Sequence, residues 1–472
     1  MNRSVRCAIG CLCVLLGLQT FRGSAQEKTQ TGDESDQDES QAPLESHARI
    51  SVPAPLGGFS PQLTSYPETA GERTNLLLGS IELNALYTGS GVISGAKSTG
   101  DLQYSVIPGI GWQSFSPRTQ WLVNYAGGLT FDQRSPGSSQ QTQGGAADLR
   151  HQFTQRLVSE FRQDYVFTNG PFTQVGPSPS LPAVAGPGQL SPFAMPSNTT
   201  RVDSISSANL TYQVSPHSGL GGSGSFSDQK YRDLSLPSGT GGSLIDTQIA
   251  TGRAFYLVQV SAHHSIGMEY QMEDMKFADG TARTGAQTLF LFDGISFKGN
   301  MTLSLFAGPQ LTHTHNALLL SPTFTNIVVP VLSDELSVTG GFAYTWQGSR
   351  AGFRLSGERG VSDGGGFMGA VRLNTAALEM RKTMGAHWNA TLQLVYSDGH
   401  LIGLPTHIES GRVTTEEGLI GLTRRLTPRV SVMGQYARIH QPHAGTLTQR
   451  IQAKYNRAQI GLTYQFQRAL TQ

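Results

Sequence analysis

Cysteine is nearly absent: among 472 residues only Cys7, Cys11 and Cys13 carry a thiol, all close to the start. The rest of the chain can form no disulfide and offers no thiol nucleophile or thiolate metal ligand. Long apolar runs are missing too. Cys7 to Leu18 is too short for a membrane-spanning helix, which needs about 20 apolar residues, and no later stretch reaches that length. Charge is balanced, with 34 Lys and Arg against 33 Asp and Glu, so no bulk field gathers nucleic acid and none is expected as a partner. Catalytic signatures are equally scarce. No Gly-x-Ser-x-Gly elbow, His-Glu-x-x-His helix or Gly-rich phosphate loop occurs, so neither enzymatic activity nor a cofactor is expected.

Glycine, in contrast, is plentiful at 56 residues beside an apolar content of only 38%, a balance that suits a turn-rich all-β chain. Arg3 and Arg6, the short apolar run and Gly23-Ser24-Ala25 read as a secretory signal peptide over residues 1–25. Residues 26–74 are acidic, with Asp33, Glu34, Asp36, Asp38 and Glu39 close together, and then rich in Pro and Gly. That composition predicts a disordered periplasmic segment. Asn198-Thr199-Thr200 fits a glycosylation acceptor but reads as loop in a bacterial-type chain.

From 75 to 466 the apolar residues alternate with period 2. Trp121, Val123, Tyr125, Leu129 and Phe131 share one face of a stretch whose other face carries Gln120, Asn124 and Thr130. Leu336 to Trp346 and Trp388 to Tyr396 behave alike. Roughly ten residues per strand is enough to cross a membrane when tilted. The pattern predicts about eighteen strands, within a range of 16 to 20. Its phase slips in Thr284 to Lys298, Phe367 to Lys382 and Arg412 to Leu426, and a bulge is expected near Thr375.

Connections alternate between short and long. Ser116-Pro117-Arg118, Ser215-Pro216-His217, Thr427-Pro428-Arg429 and the degenerate Thr154-Gln155-Arg156 are tight turns in which a hydroxyl can bond the turn backbone. Long loops such as Gly170 to Thr200 and Gln229 to Ile245 separate them. A turn centred on Gln155 would set Arg150 opposite Glu160 and Asp148 opposite Arg162, a ladder of opposite charges on the polar face.

Trp112, Trp121, Trp346 and Trp388 stand near strand ends, where a membrane barrel places its aromatic girdle. The expected fold is all-β, a transmembrane antiparallel up-and-down β-barrel with short periplasmic turns and long extracellular loops. Together with the signal peptide, the cysteine-poor chain and Gln459-Ile460-Gly461-Leu462-Thr463-Tyr464-Gln465-Phe466, these features make the chain resemble bacterial outer-membrane β-barrel proteins of the porin type. The resemblance implies that Gly461, Tyr464 and Phe466 form an assembly signal read by the barrel-assembly machinery, with residues 467–472 left as a short tail beyond it. Outer-membrane lipid, periplasmic chaperones, small hydrophilic solutes and further copies of the same chain are the partners it implies in a Gram-negative cell.

An eighteen-strand barrel is wide enough to hold water. Glu82, Asn84, Asp148, Arg150, Glu160, Arg162, Glu269, Glu273, Arg354 and Glu358 would line its lumen, and a passive channel for small hydrophilic solutes is the expected function. The alternative is a scaffold whose long loops, Pro171 to Pro196 and Ala317 to Leu332, bind a surface or ligand as an adhesin or receptor does. His313-Thr314-His315 puts two imidazoles on one side of an extended chain, too few for a metal site without a third ligand. The pair reads as an exposed loop, and His263-His264 as a solvent-facing turn; no metal is expected.

Overall fold

A computed structural model of the chain describes residues 74–89, 92–93, 96–97, 100–133, 140–168, 200–232, 245–277, 282–297, 300–319, 328–363, 369–402, 412–443 and 453–469. The expected signal peptide, the acidic segment and nearly all of the Gly170 to Thr200 loop lie outside these residues.

All regular structure among them is β. The first strands are β1 (Thr74–Thr88), β2 (Val92–Ile93), β3 (Ala96–Lys97), β4 (Asp101–Phe115), β5 (Thr119–Asp132) and β6 (Gln140–Gln152). Next come β7 (Leu157–Thr168), β8 (Thr200–Ser215), β9 (Ser218–Arg232), β10 (Thr247–Ser261), β11 (His264–Phe277), β12 (Ala282–Phe297) and β13 (Met301–Leu319). The series ends with β14 (Val328–Gln347), β15 (Ala351–Ser362), β16 (Val371–Met384), β17 (Trp388–Leu401), β18 (Arg412–Arg425), β19 (Val430–His443) and β20 (Ala453–Ala469). The two-residue strands β2 and β3 form a small hairpin on β20. The other eighteen pair antiparallel with their neighbours, and β1 pairs with both β4 and β20, so the sheet closes on itself. The fold is a closed eighteen-strand antiparallel β-barrel.

Tight turns gather at one rim, and hydroxyl groups shape them as the sequence suggested. Ser116 Oγ accepts from Thr119 N at 3.0 Å, Thr154 Oγ1 from Leu157 N at 3.1 Å and Thr427 Oγ1 from Val430 N at 3.0 Å. Ser215 and Ser261 accept from the amides of His217 and His263. The turn around Gln155 gives the expected register, with Arg150 opposite Glu160 and Asp148 opposite Arg162.

Side-chain parity sorts the wall into two faces. Ile81, Leu83, Val106, Ile110, Val123 and Leu129 point outward and are exposed, while Ser80, Glu82, Asn84 and Asn124 between them are buried on the lumen side. All four tryptophans stand at the tight-turn rim, where Trp112 and Trp121 stack at 6.3 Å and Arg424 lies 5.1 Å above Trp388. Aromatics also mark the opposite end of the outer face, including Tyr87, Tyr104, Phe131, Tyr396 and Tyr436. Trp121 and Phe131 are ten positions apart on β5, about 34 Å along the strand at ~3.4 Å per residue. A tilt of ~40° reduces this to about 26 Å along the barrel axis, the height of an apolar membrane band.

The expected bulge near Thr375 is absent: β16 pairs without a register shift with β15 and with β17 across that residue. The apolar residues change parity there for a different reason. Val371 and Leu373 face the lumen and Met380 faces outward, so both faces of β16 carry apolar groups on a straight strand. The slip in β12 has the same origin, since Phe290 and Phe292 are buried inward while Leu289 and Leu291 are exposed outward.

Closure occurs at the β1/β20 seam, which runs from Leu76 opposite Ala469 to Thr88 opposite Arg457. Pairing therefore continues past Phe466 through Gln467, Arg468 and Ala469. Each seam strand supplies a glycine over which the other lays a side chain. On the outer face the Phe466 ring occupies the space a Cβ on Gly79 would fill, and on the lumen face Asn84 Oδ1 does the same at Gly461. Gly79 and Phe466 are direct cross-strand partners, as are Asn84 and Gly461, so glycine is required at both sites for close approach. Gly79→Val is expected to displace the Phe466 ring and destabilise the folded barrel by about 1–3 kcal/mol. Heat-dependent gel migration checks this, and an unchanged transition would contradict it.

Candidate functional site

All ten residues proposed for the lumen lie on the strand face opposite the exposed apolar residues. They do not form one ring. Glu82 and Asn84 belong to β1 near the seam, and Asn84 donates to Ser105 Oγ at 3.2 Å. Asp148, Arg150, Glu160 and Arg162 form a ladder on β6 and β7, with Arg150 3.5 Å from Glu160. Arg162 engages Asp164 at 2.6 and 3.0 Å, two residues along its own strand, and stands opposite Asp148 in register. This local fork is the bidentate geometry a guanidinium favours.

Glu269, Glu273, Arg354 and Glu358 form a second group, and here the two walls approach each other. Glu269 and Glu273 come from β11, and Arg253, absent from the sequence reading, faces them from β10, with its Nε 3.9 Å from Glu269 Oε1. Glu358 of β15 lies within electrostatic reach of Arg253 and Glu273 as well as Arg354. Three strands stand between β11 and β15 on one side of the wall and many more on the other, so this coupling spans the lumen.

A defect in the wall explains the approach. β14 and β15 pair only from Gln347 opposite Gly352 to Gly340 opposite Arg359, all near the tight-turn rim. β14 continues to Val328 paired with β13 alone. Beyond Arg359 the end of β15, still paired with β16 as far as Ser362, meets the opposite wall. Gln229 of β9, with its amide oriented to satisfy its neighbours, accepts from Arg201 Nη2 at 2.7 Å and donates to Asp363 Oδ2 at 3.1 Å. Arg201 in turn grips Asp203 at 2.7 Å.

Apolar side chains seal the same contact. Met275 and Phe277 of β11 form a buried cluster with Ala370 and Ile402 from the loop ends of β16 and β17, and Ile249 and Val361 pack against it. A second buried cluster, Leu257, Phe290, Phe292 and Phe306, lines β10, β12 and β13 nearer the tight turns. The charged tier of Arg253, Glu269, Glu273 and Glu358 lies between these two. The lumen, expected to be wide enough to hold water, is thus narrowed on this side, where Val361 at the end of β15 packs against Met275 and Phe277 of β11.

Sequence reasoning missed Arg253, Arg201, Asp203 and Asp363. Their parity was readable, but contact across the lumen depends on which strands bend inward, and no local pattern carries that. The phase slips were the available signal, since they mark strands with apolar residues on the lumen face.

The histidine pair stands differently from the expectation. His313 and His315 lie within β13 rather than in a loop, exposed on the outer face, and His313 Nδ1 is 2.7 Å from Asp334 Oδ1. His264 opens β11 with Nε2 2.6 Å from Asp293, and only His263 occupies the turn. Of the proposed assembly residues, Gly461 faces the lumen, and Tyr464 and Phe466 are exposed on the outer face of β20. All of Pro171 to Pro196 lies outside the described residues, whereas part of Ala317 to Leu332 belongs to β13 and β14.

No known protein family matches the sequence, and no curated protein matches it either. Solved structures of similar architecture are outer-membrane proteins. The siderophore receptor PiuA from Acinetobacter baumannii aligns over 84% of this chain and 82% of its own, at 9% identity and a TM-score of 0.45. OpdO of Pseudomonas aeruginosa aligns over 83% and 97%, at 11% identity and a TM-score of 0.39. OpdK of Pseudomonas aeruginosa aligns over 83% and 99%, at 11% identity and a TM-score of 0.40. The likeness is one of architecture and indicates no close family.

Arg201→Met removes the cation that holds Asp203 and Gln229, and with it the anchor of the β15 end. Loss of one partner from such a buried pair costs about 3–5 kcal/mol, so amide hydrogen exchange at Val361 and Ser362 is expected to accelerate. Unchanged exchange there would contradict the tie across the lumen.

Proposed function

We propose that this chain is an outer-membrane β-barrel through which small hydrophilic solutes pass by passive diffusion. The observation that carries the reading is the sorting of side chains around a closed wall. Exposed Leu, Ile, Val and aromatic groups cover the outside, while carboxylates, guanidinium groups and amides occupy the inside. Apolar residues turned outward on nearly every strand are stable only against lipid. Closure supports the same reading, because a sheet in hydrocarbon must leave no unpaired edge.

The lumen-face charges then act on whatever passes. The ladder of Asp148, Arg150, Glu160 and Arg162 presents both signs on one wall. Glu358 on β15 lies within electrostatic reach of Arg253 and Glu273 on the other wall, so solutes meet charge from two sides and are selected by size and sign. Tyr464 and Phe466 would serve at the membrane interface and as the assembly signal, with periplasmic chaperones and the assembly machinery as transient partners.

Reconstitution into a planar lipid bilayer tests the function. Folded, purified protein is expected to give discrete current steps, and its absence of any step over prolonged recording would contradict a channel.

A further inference from the structure

We infer that the charged tier between the two apolar clusters is a binding site for an organic cation, an ammonium or guanidinium group carried on an apolar body. The inference rests on the lumen being the solute path and adds to it the class of solute recognised.

Three observations converge on the site. First, carboxyl groups outnumber guanidinium groups in the tier: Glu269, Glu273 and Glu358 stand with Arg253 and Arg354, and Asp363 adjoins Glu273. Second, Glu269 is only 3% exposed, yet its Oε1 has no hydrogen-bond partner. Arg253 is too far from that oxygen, at 3.9 Å, to donate a hydrogen bond. A buried carboxylate oxygen left without a donor is costly, and an incoming N–H group would relieve that cost. Third, Glu269 is flanked in register by Phe255 on β10 and Phe290 on β12, both on the lumen face. Phe290 also meets Phe306 edge-on at 5.5 Å. A cation arriving at Glu269 would therefore have these two aromatic residues as its cross-strand neighbours, which suits a charged head on an alkyl or aryl frame.

The same geometry argues against a metal ion. The carboxylates come from opposite walls and share the space with Arg253, and among the described residues no three His, Cys, Asp or Glu side chains are grouped to hold a metal. Separate N–H donors on one organic group can reach acceptors that a single small ion cannot bring together.

Titration calorimetry of the full, folded chain in detergent, with benzylamine as the probe, tests the site without requiring current flow. Benzylamine is expected to bind, with benzoate and benzyl alcohol at least about tenfold weaker, the loss that follows from removing one charge-assisted hydrogen bond. Glu269→Gln, close in shape to the native residue, and Glu358→Gln on the other wall are each expected to weaken benzylamine by at least about tenfold, with folding confirmed by gel migration. Equal binding of benzyl alcohol, no binding of benzylamine, or unchanged affinity in both variants would overturn the site. Benzylamine binding in a protein that gives no current steps would instead overturn the channel and leave the site standing.

Discussion

Backbone hydrogen bonding across the β1/β20 seam is the constraint on which the rest of the barrel depends. Eighteen strands can satisfy their N–H and C=O groups in hydrocarbon only if the last meets the first, since an open edge there leaves several kcal/mol unsatisfied per group. The seam meets that demand in register, from Leu76 to Thr88 along β1. Two glycine contacts, Gly79 under Phe466 and Gly461 beside Asn84, bring the strands close on both faces. Fixed register at the seam also fixes which face of each terminal strand is inside, because a slip of one residue would exchange the two faces. The division between apolar exterior and charged lumen follows from it.

The wall departs from regular pairing at one place with large consequences. β14 and β15 part above Gly340 and Arg359, and the end of β15, still paired with β16, gains polar contacts to β8 and β9 and apolar contacts to β11. Ladder hydrogen bonds are given up along part of one pair while apolar surface is buried across the lumen. Glu358, still paired with Gly341 just before the split, lies within electrostatic reach of Arg253 and Glu273. A wide tube with scattered charges becomes a narrower passage with a charged tier bounded by aromatic and aliphatic groups.

Much of the architecture was legible in the sequence. Period-2 alternation around residues such as Trp121 to Phe131 sorted the faces, and the hydroxyl-containing turns fixed the connections at one rim. The Gln155 turn even specified its cross-strand partners, because odd-position apolar residues on both strands allow only one parity. Less was legible where residues act at a distance. The parity change between Leu373 and Leu378 suggested a bulge, since a local reading assigns apolar groups to a single face. The strand is straight and its lumen face is apolar as well, a fact that makes sense only beside Met275 and Phe277 on another wall. Arg253 escaped notice although its ion-pair partner, Glu269, stands on the next strand; its approach to Glu358 on β15 depends on tertiary structure.

The central claim is that neighbouring residues on one strand face lipid and lumen in turn. The lack of cysteine after Cys13 lets single cysteines be placed along β5, from Leu122 to Leu129, and labelled with a fluorophore in reconstituted vesicles. Quenching by brominated lipid is predicted to alternate, strong at Val123 and Tyr125 and weak at Leu122 and Asn124, with an aqueous quencher giving the reverse. Uniform quenching along the strand by either agent would contradict a barrel whose outer face meets lipid and whose inner face meets solute.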